Sequence, residues 1–322
     1  MEISGKLLCQ IESDLGLNVP FVKGQNISVK NCWHFYTDGR DVDIMFSDET
    51  CLRDGMNRIY VQSLRFDVII LAFVLMDTHV HFVLYGSYSE CSAFTHEYIR
   101  STSRYISIRY KEKNRLGSVK INHQEVDTDL YLKIVIPYVI KNPTSGGMPW
   151  MPYNYPWSSG ALYFARNGNL APNSWSGKLD GCRKLKELSI RETRTLFHTR
   201  DRIMTDANLL DGLAFPGDYV AYEIVERIFR TTKSFQYFMS LNKEDEIEGR
   251  GGSISNLSLP IQELRQHKNE ICMDIFGRKT VRDLDTTQRI KLAKILKSRF
   301  NSSTKQIARL CGLKYDEIIG IL

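Results

Sequence analysis

The sequence has no long apolar run and only nine prolines among its 322 residues. Its longest apolar run, residues 68–76, has the length of a β-strand and falls far short of the roughly 18 residues that a membrane helix needs. The N-terminus has no basic stretch followed by a long apolar one. We therefore expect neither a signal peptide nor a membrane partner.

The cysteines show no pairing pattern either. The seven cysteines form no CxxC pair, and an odd number of thiols cannot all pair. This usage is typical of a reducing cytoplasm, so we expect free thiols. Hydrophobic residues make up 43% of the chain and charged residues 25%, which allows a sizeable core and excludes a wholly disordered protein.

Positive charge is in slight excess, with a formal net charge of +6, and it is concentrated in three segments. Residues 278–322 hold eleven basic and four acidic side chains, residues 99–115 hold six and one, and residues 183–202 hold seven and three. The remainder of the chain is net acidic. This distribution indicates a surface for a polyanion, although solvated helix faces would give the same counts.

The pattern of apolar residues predicts a small α+β domain followed by helices. The predicted elements alternate as strand, helix, strand, strand, helix, strand and helix, over residues 29–37, 47–64, 66–76, 79–85, 89–113, 116–121 and 127–142. This order favours a ferredoxin-like antiparallel sheet with its helices on one face. We expect Ser89 to cap the second helix and Pro143 to end the last one.

Composition divides the chain into four parts. Residues 1–27 form an N-terminal extension without a strong pattern, and residues 28–165 form the α+β core. Residues 166–248 read as a helical extension. The glycine-rich stretch 249–253 then begins a linker and a basic helical unit that runs to residue 322.

A histidine pair stands at the start of the third predicted strand, where His79 and His81 flank Val80. Side chains alternate along a strand, so the two imidazoles share one face while Val80 faces the other way. Two imidazoles on an open face suit a divalent metal. A pair of hydrogen-bonded or surface histidines is the other interpretation.

A second motif lies on the last predicted helix of the core. Tyr138 and Asn142 are four residues apart and therefore lie on the same helical face, one turn from each other. A tyrosine hydroxyl has a free pKa near 10 and becomes a competent nucleophile only when a metal polarises the group that it attacks. A tyrosine packed beside an asparagine cap is the alternative.

Together these motifs resemble the HUH single-tyrosine transposases, in particular the REP-associated tyrosine transposases. Three motifs occur in the family's order: Met-Asp-Thr-His-Val-His at residues 76–81, Tyr-Val-Ile-Lys-Asn-Pro at 138–143, and Tyr-Pro-Trp-Ser-Ser at 155–159. The resemblance covers about residues 28–165. Ile140 stands where the family has a further histidine, and Pro137 directly precedes the tyrosine.

The resemblance implies a function and roles for these residues. His79, His81 and Asn142 would ligate Mg²⁺ or Mn²⁺, and Tyr138 would attack a phosphate of single-stranded DNA near a hairpin. The result would be a 5′-phosphotyrosine intermediate and a free 3′-hydroxyl, with no nucleotide cofactor because the phosphotyrosine conserves the ester. The family also implies a bacterial, cytoplasmic and nucleoid-associated protein, acting as a monomer or homodimer.

Contacts to DNA are expected from further basic and aromatic side chains. In the core these are Arg100, Arg104 and Trp157, through phosphate contacts and base stacking. Residues 303–318 fit a helix-turn-helix, with Gly312 at the turn and a second helix over 314–322. Lys305 and Lys314 of this unit are the candidate contacts there.

Two other functions remain open at this point. A catalytically retired relative would bind DNA as a sequence- or hairpin-specific regulator through the C-terminal unit. A metal-dependent hydrolase of the amidohydrolase type also places H-x-H after a strand. That fold needs more strand-end histidines and repeated βα units, and His198 and His267 instead lie in charged helical or loop contexts.

Overall fold

The computed structural model describes residues 30–39, 41, 44–111, 116–126, 129–165, 179, 181–241, 261–300 and 304–321. The predicted N-terminal extension and the glycine-rich linker lie outside these residues. The chain divides into two compact units, Met1–Lys243 and Glu244–Leu322. The described part of the predicted helical extension, residues 181–241, thus belongs to the same unit as the α+β core.

Within the described residues, four strands form the main sheet: β1 (Lys30–Thr37), β2 (Val68–Leu75), β3 (Val80–Ser87) and β4 (Ile121–Val126). Their order is β2-β3-β1-β4, and every neighbouring pair is antiparallel. This is the predicted ferredoxin-like order. β4 lies further along the chain than the predicted 116–121, because pairing with β1 selects the polar run 121–126 over a more apolar one.

Two helices cover one face of this sheet. Helix α1 (Glu49–Ser63) begins after Asp48, whose carboxylate accepts a hydrogen bond from the Cys51 amide at 2.9 Å. Helix α2 (Tyr88–Tyr110) is capped by Ser87 and not by the predicted Ser89. Both helices pack their apolar sides on the strand residues that face them, and the shared core includes buried Phe35, Phe73 and Phe82. Burial of apolar area is the dominant stabilising term in such a layer.

A third helix corrects the prediction that all helices lie on one face. Helix α3 (Asp129–Ser145) carries Tyr138, whose ring contacts His34 and His81. These histidines alternate with Phe35 and Phe82, which point into the α1–α2 core, so α3 packs on the opposite face. The apolar sequence of α3 buries best against a sheet surface, and the first face is already filled.

Helix α3 also runs past the proline that was predicted to end it. Both Pro137 and Pro143 lie inside the helix, which ends at Ser145. A proline removes only one donor of the hydrogen-bond ladder, and the next turn closes again through the Gly146 amide, which donates to the Asn142 carbonyl at 2.8 Å. Gly147, with φ of 74°, then lets the chain leave the helix.

The rest of the first unit is less helical than predicted. Its described part contains the short helices α4 (Ile190–Phe197), α5 (Tyr222–Phe229) and α6 (Thr232–Met239), and a hairpin of β5 (Leu209–Leu210) and β6 (Leu213–Ala214). Buried Asn57 of α1 ties this segment to the core. Its side-chain amide donates to the Leu196 and Gly212 carbonyls at 3.0 and 2.9 Å, and its carbonyl accepts from the Ala214 amide.

The second unit is helical in its described residues, with α7 (Ile261–Phe276), α8 (Thr286–Phe300), α9 (Thr304–Cys311) and α10 (Tyr315–Ile318). Gly312 makes the turn after α9 with φ of 63°, as predicted. The helix that follows spans four residues and is shorter than the expected 314–322. The helix-turn-helix assignment stays a prediction.

Two expectations about the whole chain can be compared with the described residues. No helix among them is both long enough and apolar enough to cross a membrane. The six cysteines that the structure describes are free thiols, five of them buried.

Candidate functional site

The hairpin between β2 and β3 presents the first histidine. Asp77 and Thr78 form the predicted two-residue turn, closed by the Met76 amide donating to the His79 carbonyl at 2.8 Å. His79 lies just before β3. Its Nδ1 is 2.8 Å from the Thr78 hydroxyl oxygen, a contact that fixes the orientation of the ring.

His81 is on the same face as His79, as alternation predicts, but this face is not open. Helix α3 covers it, and His81 retains only 3% of its exposure. Burial first, and then its neighbours His79 and His34, hold the pKa of His81 well below its ordinary value of 6.5. The imidazole is therefore neutral at neutral pH, the form in which histidine binds metals.

Asn142 reaches the histidine hairpin from the last turn of α3. Its Oδ1 lies 3.1 Å from Nε2 of His79, and its Nδ2 donates to the Tyr138 carbonyl at 3.1 Å. The amide is thus held by its own helix and directed at the ring. The structure brings together two residues that are 63 positions apart in the sequence.

Tyr138 lies one turn before Asn142 on the same side of α3. Its ring stands edge-on to the rings of His81 and His34, with centroids 5.4 and 5.9 Å away. Only 7% of the residue is exposed. The predicted nucleophile is therefore in direct contact with a predicted metal ligand.

Two residues of the site were not predicted. His34 and Tyr36 of β1 lie on the same face as His81, and their rings stack on it with centroids 5.2 and 5.6 Å away. Nε2 of His34 is 3.0 Å from Nδ1 of His81, and burial lowers the pKa of His34 from 6.5 to about 3. Alternation places His34 and Tyr36 together, but nothing in the sequence indicates the pairing with β3 that puts them beside His81.

The spacing of two of these donor atoms is compatible with neighbouring positions around a six-coordinate divalent cation. Two neighbouring ligands of an octahedral Mg²⁺, each about 2.1 Å from the ion, lie about 3.0 Å apart. The separation of Nε2 of His79 from Oδ1 of Asn142 matches this value at 3.1 Å. Nδ1 of each histidine is in a hydrogen-bond contact, so Nε2 is the nitrogen that would face a metal, and Nε2 of His79 would exchange its hydrogen-bond contact with Asn142 Oδ1 for the ion. Among the described residues no group of three His, Cys, Asp or Glu is arranged to hold a metal. A site here would include the Asn142 amide beside the two histidines.

The remaining predicted contact residues lie elsewhere. Arg100 and Arg104 are exposed on α2, which covers the other face of the sheet, and Arg100 pairs with Glu97. The Trp157 carbonyl accepts from the Leu75 amide at 2.9 Å, so this residue extends the edge of β2. Lys314 is exposed in the second unit, and the side chain of Lys305 lies outside the described residues. Their roles in DNA binding stay predictions.

The basic segment 183–202 is partly neutralised within the fold. Arg183 contacts the Glu192 carboxylate at 2.8 Å, and Lys186 pairs with Asp206. Hydrogen bonding to Arg183 and to Ser189 lowers the pKa of Glu192 to about 2. This segment therefore offers less free positive charge than its composition suggests.

The candidate site therefore consists of two imidazoles, an amide and a tyrosine. They lie between a β-hairpin and a helix on a ferredoxin-like sheet. No family model matches the chain, and no curated protein matches it. A solved structure of a REP-associated tyrosine transposase bound to a REP hairpin is similar over 49% of this chain and 92% of that one, with 16% identity and a TM-score of 0.36. The function proposed below rests on the geometry of the site.

Proposed function

We propose that this protein is a metal-dependent endonuclease and strand transferase that acts on single-stranded DNA through Tyr138. The observation that carries the proposal is the meeting of Tyr138, His79, His81 and Asn142 at one place. They come from two elements that are distant in the sequence, and they combine a nucleophile with two imidazoles and an amide oxygen that would bind a divalent metal.

In the proposed reaction the hydroxyl oxygen of Tyr138 forms a bond to a backbone phosphorus, and the bond from that phosphorus to the 3′-oxygen breaks. The proton that the tyrosine loses is balanced by the one that the leaving 3′-oxygen gains. A Mg²⁺ or Mn²⁺ ion held by His79, His81 and Asn142 would polarise the phosphate and offset its growing charge. The reverse step, with a 3′-hydroxyl as nucleophile, rejoins the strand.

The chain's own residues prepare this step by position. Asn142 and Tyr138 are one turn apart on α3, so a single helix holds both the third ligand and the nucleophile. The T-shaped contact with His81 keeps the tyrosine ring directly beside this proposed metal ligand. Holding reacting groups in fixed relation in this way removes an entropic part of the barrier.

The proposed substrate is single-stranded DNA next to a hairpin, and a nucleotide cofactor is not required. To test the proposal, the protein is incubated with Mn²⁺ and a hairpin oligonucleotide that carries a fluorophore at its 3′ end. Because the tyrosine keeps the 3′-side fragment, a labelled covalent adduct should appear on a denaturing gel. Tyr138→Phe should abolish it.

Tyr131→Phe is the matched control for this experiment. Tyr131 lies on the same helix and is equally buried, and its substitution should leave the adduct in place. An adduct that survives Tyr138→Phe would refute the assignment of the nucleophile. Loss of the adduct in both variants would show a general requirement for an intact α3 instead.

A second candidate function is a DNA-binding protein that no longer cleaves. The burial of Tyr138, at 7% exposure, favours this alternative, since an attacking hydroxyl must reach a phosphate. It predicts hairpin binding that weakens steeply with salt, without any adduct under either metal. The gel experiment above decides between the two functions.

A further inference from the structure

One buried histidine of the site remains without a role. His34 is in the middle of β1, directly opposite Val83 of β3 and Gln124 of β4. It is 1% exposed, and its ring stacks on that of His81 at 5.2 Å with an interplanar angle of 13°. It also meets the edge of Tyr138, so it contacts both a proposed ligand and the proposed nucleophile.

The polar contacts of His34 are unbalanced. Its Nε2 is 3.0 Å from Nδ1 of His81, but its own Nδ1 is buried and has no hydrogen-bond partner among the residues that the structure describes. A buried polar atom without a partner costs stability, and an apolar ring would fill the same place without that cost. The hydrogen bond to His81 is therefore the interaction that a histidine makes at this position and that an apolar residue would lose.

Which of the two rings donates in this hydrogen bond depends on whether His81 binds a metal through its Nε2. A histidine that binds a metal through Nε2 carries its proton on Nδ1 and donates it to an acceptor. Nε2 of His34, at 3.0 Å, is the acceptor within reach among the described residues. The Thr78 hydroxyl stands in the same relation to Nδ1 of His79, so each of the two imidazoles has a partner behind it.

We propose that His34 is a positioning residue: it accepts a hydrogen bond from Nδ1 of His81 and thereby directs Nε2 of His81 at a divalent metal. This inference rests on the proposed function, because it requires the metal centre. Removal of such a partner weakens metal binding by about 10- to 100-fold in metal proteins.

The test measures binding of Mn²⁺ alone, by the electron paramagnetic resonance signal of the free ion, in the wild-type full-length protein and in His34→Phe and His34→Gln. The phenylalanine keeps the ring and removes the acceptor, while the glutamine places an oxygen near the position of Nε2. We expect about a 10- to 100-fold weaker affinity for His34→Phe and recovery to within a few-fold of wild type for His34→Gln.

His123→Phe is the matched control. This histidine is exposed on β4 and packs against Trp33 and Tyr88 on the other face of the sheet, so Mn²⁺ affinity should not change. If His34→Phe does not fold, as judged by circular dichroism, His34→Met removes the acceptor with a flexible side chain that adapts to the cavity.

The outcomes separate this inference from the proposed function. Equal Mn²⁺ affinity of wild type and His34→Phe would overturn the role of His34 and leave the metal centre standing. An affinity of His34→Gln as weak as that of His34→Phe would also overturn it, because an acceptor at this position would then not restore metal binding. A wild-type protein that binds no Mn²⁺ would overturn the metal centre itself.

Discussion

Acid should destabilise the first unit through its buried imidazoles, and His34 allows the size of the effect to be worked out. Its pKa falls from 6.5 in the unfolded chain to about 3 in the folded one, because burial disfavours the charged ring. Between these values the unfolded state binds a proton that the folded state does not. Above about pH 6.5 His34 is neutral in both states and its titration has no effect on the free energy of unfolding. As the pH falls from about 6.5 towards 3, the unfolded state gains a proton that the folded state does not, and the free energy of unfolding decreases.

The magnitude follows from the same two values. At about pH 5 the unfolded histidine is almost wholly protonated and the folded one almost wholly neutral, so His34 alone removes about 2 kcal/mol from the free energy of unfolding. His81 acts in the same direction, since its pKa is also lowered. The wild-type protein should thus lose about 2 kcal/mol more than His34→Gln between about pH 8 and pH 5.

The assay is urea unfolding at the two pH values, followed by tryptophan fluorescence in the presence of a chelator. The four tryptophans of the chain all precede residue 243, so the signal reports on the first unit. Trp33→Phe is the control, because it leaves both buried histidines in place. If the wild-type protein and His34→Gln lose the same free energy on acidification, the buried neutral state of His34 is refuted.

Three further predictions concern packing, charge and backbone conformation. Phe235→Ala should lower the free energy of unfolding of the first unit by about 3–5 kcal/mol in urea, because the fully buried ring packs against other rings with centroids 4.8–5.6 Å away. Exposed Gln236→Ala on the same helix should change this free energy by less than about 0.5 kcal/mol, and equal losses in the two variants would contradict the packing argument. Asp54→Ala should cost about 3–5 kcal/mol in the same assay, because it leaves the buried Arg58 guanidinium without its carboxylate; a neutral effect would show that water reaches Arg58. Gly312→Ala should destabilise the second unit by about 1–2 kcal/mol, since φ of 63° strains an L-residue, and hydrogen exchange of the α9 amides measures this; unchanged protection would contradict it.

Several parts of the site could be predicted because they depend on neighbours in the sequence. The two-residue turn at Asp77 follows from local composition between two apolar runs. Tyr138 and Asn142 share a face because a helix repeats about every 3.6 residues, and the structure keeps them one turn apart. The contact of Asn142 with His79 was expected only from the resemblance to a family, since it joins two distant elements.

The prediction that His81 lies on an open face failed for a reason beyond local pattern. Alternation determines which side chains share a face of a strand, but not what covers that face. Helix α3 covers it because the other face is already filled by α1 and α2. β4 lies at residues 121–126 and not at the predicted 116–121 for a similar reason, because its pairing with β1 and not its own sequence decides which residues form the strand.

By itself the sequence determined the order of strands and helices, the histidine pair and the spacing of the tyrosine motif, since each depends on residues close together in the chain. Only the tertiary structure decided that α3 crosses to the second face and that His34 stands behind His81. The contact between His34 and His81 is set by the register of β1 on β3. The two residues are 47 positions apart in the sequence. Such a register follows from the competition of all strands for one core, which no local pattern contains.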